Sequence, residues 1–235
     1  MRFLRRQEAE AAVRRFGWLS ETDRHFQDRL LARCDLLAFK PTQYIYQAGD
    51  EGGGLVGVVA GQIEIHLPVQ RLDSTLIYLA GPGFWTGEAA AVRGHARLIS
   101  LIARTHCQLL RLPRYELQRM TAADPSFWRF IAILIAGNER RTLRVIDALR
   151  CNDPVRRIAT MLTTLLGDSG TDGRTLEVSQ AELAAMCNLA RGSISAGLRK
   201  LEQRGLIRRR YGAIEVGDCE LLRHFAERLP RKRVA

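Results

Sequence analysis

No apolar run in this 235-residue chain approaches the roughly 20 residues that a membrane-spanning helix needs. The opening stretch, MRFLRRQEAEAAVRR, is charged throughout and lacks the apolar centre of a secretory signal. Cysteine is scarce: Cys34, Cys107, Cys151, Cys187 and Cys219 are scattered, odd in number, and fit neither a disulfide framework nor a zinc-finger spacing. A cytoplasmic protein with reduced thiols, free of the membrane, is therefore expected. Also missing are a nucleophile–base motif, a phosphate-cradling glycine loop and a metal-protease helix, which argues against an enzyme. No internal repeat appears.

What is present is a soluble globular composition, 46% hydrophobic and 26% charged, long enough for two modest domains with separate cores. The formal net charge is +11 and the pI about 10.2. Neutralising phosphates is the usual use of such an excess, so a polyanionic partner is expected. An anionic membrane surface would suit the charge equally, but no basic amphipathic helix dominates.

The stretch Val178 to Gly205, VSQAELAAMCNLARGSISAGLRKLEQRG, is the most informative. Ser179 followed three residues later by Glu182 is a capping box at a helix start. Leu183 and Met186 give that helix a short apolar face, and Asn188 suits the left-handed turn that ends it. A second helix starts near Arg191, buries Ile194, Leu198 and Leu201, and ends at Gly205. Two short helices with a tight turn between them predict a helix-turn-helix whose second helix enters the major groove of DNA. Its outer side carries Arg191, Gly192, Ser193, Ser195, Ala196, Arg199 and Lys200, small and basic without one acidic group. An ordinary hairpin with a solvated basic face is the plainer alternative. The flank LIRRRYGAIEV then predicts a β-hairpin wing turning at Tyr211-Gly212.

This stretch resembles the winged helix-turn-helix of the Crp/Fnr family of bacterial transcription regulators, and the resemblance extends over nearly the whole chain. In that family the recognition helix opens with an arginine, matched here by Arg191, the best candidate for a bidentate contact to guanine. The family's following glutamate and second base-reading arginine are matched by Gly192 and Ala196, so the operator should differ from that of cyclic-AMP-regulated members. The expected DNA-contact residues are Ser179, Gln180, Arg191, Ser193, Ser195, Arg199 and Lys200.

Ahead of these helices the sequence predicts an α+β arrangement. A helical segment up to Cys34 has Ser20 as the cap of its second part. Short apolar runs separated by Gly, Pro and Asp from Asp35 to Pro113 predict an antiparallel β-roll. The resemblance makes this a cyclic-nucleotide-binding-like domain, with Gly49-Asp50 and Gly61 at its turns. In nucleotide-binding members a Gly-Glu pair holds the ribose and an Arg followed by Ser or Thr holds the cyclic phosphate. Gly87-Glu88 matches the first pair and Arg97 the arginine, but Leu98 stands where the hydroxyl is expected and damages the phosphate site. Glu88 and Arg97 pairing with each other is an equal reading. An iron–sulfur cluster of the Fnr kind needs a close cysteine set, and Cys34 stands alone. Haem would need axial ligands such as His66, His95 or Cys107, and a lone His in a roll is more often an ordinary core or surface residue. No cofactor is expected; a cyclic nucleotide stays as an alternative that Leu98 and Leu143 disfavour.

Asp124-Pro125 opens a long helix in which Trp128, Ile131, Ile135, Asn138, Thr142, Val145 and Leu149 follow heptad steps, a seam suited to a parallel homodimer. Asn138 would pin its register, while a second stripe (Phe130, Leu134, Ile146) would pack on the roll. Thr142 matches a base-contacting threonine of the family, and Leu143 replaces its neighbouring serine. Asn152-Asp153-Pro154 breaks the helix and marks the expected hinge and domain boundary. A polar loop from Gly167 to Arg174, a short TLEV strand and a last helix around Glu220 to Arg228, followed by the tail PRKRVA, complete the chain. The expected domains are 1–123 for the N-terminal helix and sensor-like β-roll, 124–152 for the dimerisation helix and 153–235 for the winged helix-turn-helix DNA-binding domain.

The reading is a dimeric, sequence-specific regulator on a palindromic operator, with RNA polymerase as a further partner and control through the roll. A constitutive DNA binder with a degenerate ligand site is the main alternative. A nucleotide-binding subunit that does not touch DNA is disfavoured by the Arg191 face.

Overall fold

The broken apolar alternation between Asp35 and Leu112 resolves into eight strands: β1 (Asp35–Phe39), β2 (Tyr44–Tyr46), β3 (Leu55–Ala60), β4 (Ile63–Val69), β5 (Asp73–Ala80), β6 (Trp85–Thr86), β7 (Ser100–Ala103) and β8 (Cys107–Leu112). They form two four-stranded antiparallel sheets, β1-β8-β3-β6 and β2-β7-β4-β5, which is the predicted roll. This computed structural model describes residues 3–69, 73–168 and 175–227. Register is set by which face is apolar. β3 runs against β8 from Leu55↔Leu112 to Ala60↔Gln108, and Ile63, Ile65, Leu101 and Ala103 of the other sheet turn inward. A Cβ at Gly57 would lie 2.3 Å from the Trp85 ring, so only glycine admits this close approach.

Helices cover the first sheet. α1 (Arg6–Val13) and α2 (Arg24–Leu31) precede the strands, with a short 3-10 turn (Trp18–Glu21) between them. Ser20 does not cap α2. Its hydroxyl donates to Gly17 O, and Asp23 Oδ1 accepts from Phe26 N at 2.8 Å instead. The predicted helix start is displaced because Trp18 and Leu19 bury themselves through the 3-10 turn that follows Gly17. Trp18 meets Trp85 with ring centroids 5.4 Å apart, and Phe26 meets Phe130 at 4.6 Å. The buried Trp18 indole donates to Phe130 O at 2.7 Å, so this aromatic core leaves no penalty on that polar atom.

Two helices were not anticipated: α3 (Glu88–Arg93) inside the roll and α4 (Arg114–Ala123) after it, the latter burying Leu117 and Met120. Asp124 then caps the turn Pro125–Phe127 by accepting from Ser126 N, and the chain continues into α5 (Trp128–Arg150). The predicted seam needs correction. Ile131 is fully buried on the roll, and Asn138 Nδ2 donates to Trp85 O at 3.1 Å and Glu88 Oε1 at 2.8 Å. On a long amphipathic helix two adjacent stripes share the same period, and the roll takes Phe127, Phe130, Ile131, Leu134 and Asn138. The stripe left exposed is Trp128, Ile135, Leu143, Ile146 and Leu149. Asn138 therefore belongs to the roll's own packing.

Two compact units divide between Arg140 and Arg141, inside α5. The compact units thus divide within α5, whereas the sequence placed a domain boundary at Asn152-Asp153-Pro154. In the second unit Asp153 Oδ1 accepts from Val155 N at 2.9 Å and starts α6 (Pro154–Asp168), as predicted. β9 (Thr175–Leu176) joins β10 (Ile207–Arg210) and β11 (Ala213–Val216) in a three-stranded sheet. α7 (Gln180–Cys187), α8 (Arg191–Gln203) and α9 (Cys219–Glu227) complete this unit. Most of the loop expected from Gly167 to Arg174, and the PRKRVA tail, lie outside the described residues.

Candidate nucleic-acid interface and roll pocket

The capping box closes as the sequence predicts: Ser179 Oγ accepts from Glu182 N at 3.2 Å and Glu182 Oε2 accepts from Ser179 N at 2.7 Å. Asn188 adopts the left-handed conformation, with φ 48° and ψ 53°. α8 ends with Gly205 at φ +70°, Leu206 N donating to Leu201 O and Gly205 N to Glu202 O. Leu183, Met186, Ile194, Leu198 and Leu201 are buried, so the outward face of α8 is the predicted one. Arg191, Arg199 and Lys200 are exposed there, Ser193 and Ser195 are half-buried, and Gln180 is exposed at the start of α7. None of the three cations makes a hydrogen bond or ion pair among the described residues. Ser179 uses its oxygen in the cap, leaving its hydroxyl hydrogen for a phosphate.

Two positions in this unit escaped the sequence reading. Gly197 is buried, and a Cβ there would lie 2.4 Å from Ile158 Cδ1, so α8 approaches α6 closely. Arg157 donates from Nε and Nη2 to Cys151 O at 3.0 and 2.8 Å and from Nη1 to Cys187 O at 3.1 Å. One guanidinium thereby ties the end of α5 to the helix-turn-helix turn. Arg156 and Arg157 look alike in sequence, and only the fold distinguishes them.

In the roll, Gly87, Glu88 and Arg97 do come together, but not as the expected pair. Arg97 is 6% exposed; its Nη2 donates to Gly54 O at 2.9 Å, and its guanidinium lies 4.2 Å over the Tyr46 ring. Glu88 Oε1 accepts from Asn138 instead. Backbone bonds from Arg97 N to Asp50 O and from Gly49 N to Arg97 O, both 2.8 Å, fix the segment. A Cβ at Gly87, where φ is +97°, would meet Arg97 Nη1 at 2.5 Å, so glycine is what admits the guanidinium. Burial lowers the pKa of Arg97, with Tyr46, Asp50 and Glu88 opposing the shift. Burial also pushes Tyr46 up to about 12, against Arg97 and a hydrogen bond with Thr86. Nη1 of Arg97 is buried without a hydrogen-bond partner among the described residues.

Leu98, at the bend that follows Arg97, is 72% exposed and so is not packed into the roll's core. Thr142 and Leu143 are exposed on the part of α5 that belongs to the second unit. His66 Nε2 lies 2.8 Å from Glu64 Oε2, His95 is exposed, and Cys107 is buried with its thiol on Gln62 O, so these three are not brought together. Among the described residues no helix is long and apolar enough to cross a membrane.

Comparison with known proteins matches these two units separately. The cyclic nucleotide-binding domain model matches residues 36–124, and the Crp-like helix-turn-helix domain model matches residues 156–225. The Cyclic AMP receptor protein of Thermus thermophilus is 27% identical over 182 residues, covering 77% of this chain and 83% of that protein. A CRP-like cAMP-activated global transcriptional regulator of Mycobacterium tuberculosis is 24% identical over 183 residues, 76% and 82% of the two chains. Among solved structures, FixK2 from Bradyrhizobium japonicum superposes with a TM-score of 0.73 at 16% identity, covering 84% of this chain and 99% of that one.

Proposed function

This chain belongs to the Crp/Fnr family of DNA-binding transcription regulators, and on that premise we propose that it acts as a homodimer that holds a palindromic operator without needing a cyclic nucleotide. The observation that carries the reading is the outer face of α8. Arg191, Arg199 and Lys200 stand there exposed, with no hydrogen-bond or ion-pair partner among the described residues, and the acid of this helix, Glu202, is bound to Arg209. Cations left unneutralised on a closely approachable helix suit a phosphate backbone and a guanine edge. Arg191 would read the base, while Arg199, Lys200, Ser179, Gln180, Ser193 and Ser195 would set register on the backbone.

The exposed apolar stripe on α5 supports the dimer. Trp128, Ile135, Leu143, Ile146 and Leu149 recur at helical spacing and are each 38% or more exposed, which a solvated helix does not need. A two-fold axis along that stripe presents one α8 to each half-site, about one helical turn apart. RNA polymerase is the further partner this role implies, in the cytoplasm.

Independence from cyclic AMP rests on Arg97. Its Nη2 is engaged by Gly54 O and its face by the Tyr46 ring, so a cyclic phosphate arriving at Nη1 meets a guanidinium that is already partly engaged. A second reading, favoured by the unpartnered Nη1, is that a small anionic effector enters beside Gly87 and switches the protein. Calorimetry separates the two. Millimolar or no binding of cyclic AMP, with operator bound in its absence, is expected. A micromolar dissociation constant coupled to DNA binding would overturn the reading.

A further inference from the structure

Nothing within the described fold requires a glycine at position 192. Gly192 lies in the first turn of α8, outside the left-handed region, and a Cβ there would meet nothing within 4 Å. Glycine weakens a helix relative to alanine, so this residue costs stability without serving a contact inside the chain. Gly197 of the same helix differs, because it admits Ile158. With about 100° between successive residues, the buried Ile194, Gly197, Leu198 and Leu201 define one side of α8. Gly192, Ala196, Arg199 and Gln203 are exposed and fall within roughly 30° of the line directly opposite. Gly192 and Ala196, the two smallest residues of that face, thus stand at its centre one turn apart. A helical Cβ leans over the preceding turn, so the Ala196 methyl overhangs the bare Cα of Gly192.

We propose that this notch reads the C5-methyl group of a thymine in the major groove of each half-site, which makes Ala196 a specificity-determining residue. The inference rests on α8 being the recognition helix, and it gives that helix a second base beside the guanine of Arg191. Every other outward side chain of α8 is charged, hydroxyl-bearing, an amide or absent, so the Ala196 methyl is the one wholly apolar group there. The thymine methyl is likewise the one apolar group among the base edges of the major groove. Packing the two together removes apolar surface from water, whereas any other base offers an edge that the Ala196 methyl cannot use. No side chain at Gly192 stands between them, and the small centre of the face lets the helix seat close to the base edges. Five residues separate Arg191 from Ala196, roughly 7.5 Å of helix axis, which places the thymine within about two base-pair steps of that guanine.

The test uses the full-length protein and a palindromic duplex that it selects from a random pool. A thymine is expected within about two steps of the guanine whose selection Arg191→Ala relaxes. Replacing that thymine by deoxyuridine in both half-sites removes only the two methyl groups. This should weaken wild type by roughly tenfold to twentyfold, about fourfold for each methyl. Ala196→Gly should bind the thymine duplex more weakly by a similar factor and show no further loss on the deoxyuridine duplex. Ala196→Ser, which puts a hydroxyl in the notch, should likewise erase the difference between the two duplexes while its thermal midpoint changes little. Gly192→Gln covers the notch with a polar side chain where the fold leaves open space, and it should abolish the thymine preference too. The proposal fails if deoxyuridine leaves wild-type affinity unchanged. It fails equally if deoxyuridine weakens wild type and Ala196→Gly by the same factor, since the methyl is then read elsewhere. A selected operator without a thymine at that distance also overturns it. If no palindrome is selected, the assignment of α8 falls and this inference with it. A palindrome whose guanine depends on Arg191 but whose thymine methyl has no effect sinks this inference alone.

Discussion

Arg97 and Arg191 mark the candidate sites of the two units, and their surroundings are opposite. Arg97 lies in the roll at 6% exposure, with Gly54 O and the Tyr46 face as its partners. Arg191 begins α8 exposed, with no hydrogen bond or ion pair among the described residues. A guanidinium with internal partners has fewer donors and less freedom to offer a ligand, whereas one held only by water gains directly from a phosphate or a base. On the proposed reading the helix-turn-helix carries the binding of DNA, while Arg97 of the roll is mostly engaged by the roll itself.

The largest effect should come from separating the copies. Ile135→Glu with Leu149→Glu places carboxylates on the exposed stripe of α5 without touching the roll contacts of Phe130 or Leu134. Light scattering should show a monomer, and operator affinity should fall by about 10²–10⁴-fold as the second half-site ceases to be an intramolecular event. A variant that stays dimeric would show that the interface lies elsewhere. Next in size, Arg191→Ala should cost about 1–3 kcal/mol and relax specificity at one base pair of each half-site. Arg199→Ala and Lys200→Ala should weaken all sequences alike and flatten the salt dependence. If Arg191→Ala leaves the selected sequence unchanged, the outward arginine is not the reader.

The inward arginine should behave in the opposite way. Arg97→Met removes a buried cation with an unpartnered N–H, a change that is often near neutral for stability. The thermal midpoint should move by only a few degrees and operator affinity by less than about twofold. Loss of DNA binding in this variant would break the comparison. The smallest effect concerns thiols, which the same division sorts. Burial pushes Cys187 up to about 12, with Arg157 opposing, and it raises Cys34 and Cys107 as well. A raised thiol pKa keeps the reactive thiolate absent at about pH 8. A thiol reagent should therefore modify the half-exposed Cys151 and Cys219 and spare the other three until the protein unfolds.

The DNA-reading unit was legible because its signals are local. Ser179 and Glu182 lie three apart, Asn188 and Gly205 sit where left-handed residues are needed, and Asp124 and Asp153 each precede a proline that starts a helix. Each is settled within one turn of chain. The roll pocket was less legible because its geometry is non-local. Nothing near Arg97 in the sequence shows that its partners are Gly54 and Tyr46, more than forty residues away. Asn138 was misread because one period fits two stripes, and only contact with Trp85 and Glu88 decides between them.

The most direct test of this contrast is a gel-shift titration of the selected palindrome with purified wild-type protein, run with and without millimolar cyclic AMP at one fixed salt concentration. The outward face of α8 and the internally held Arg97 predict the same isotherm in both conditions. Binding seen only when cyclic AMP is present would contradict the account, because the nucleotide would then be the switch.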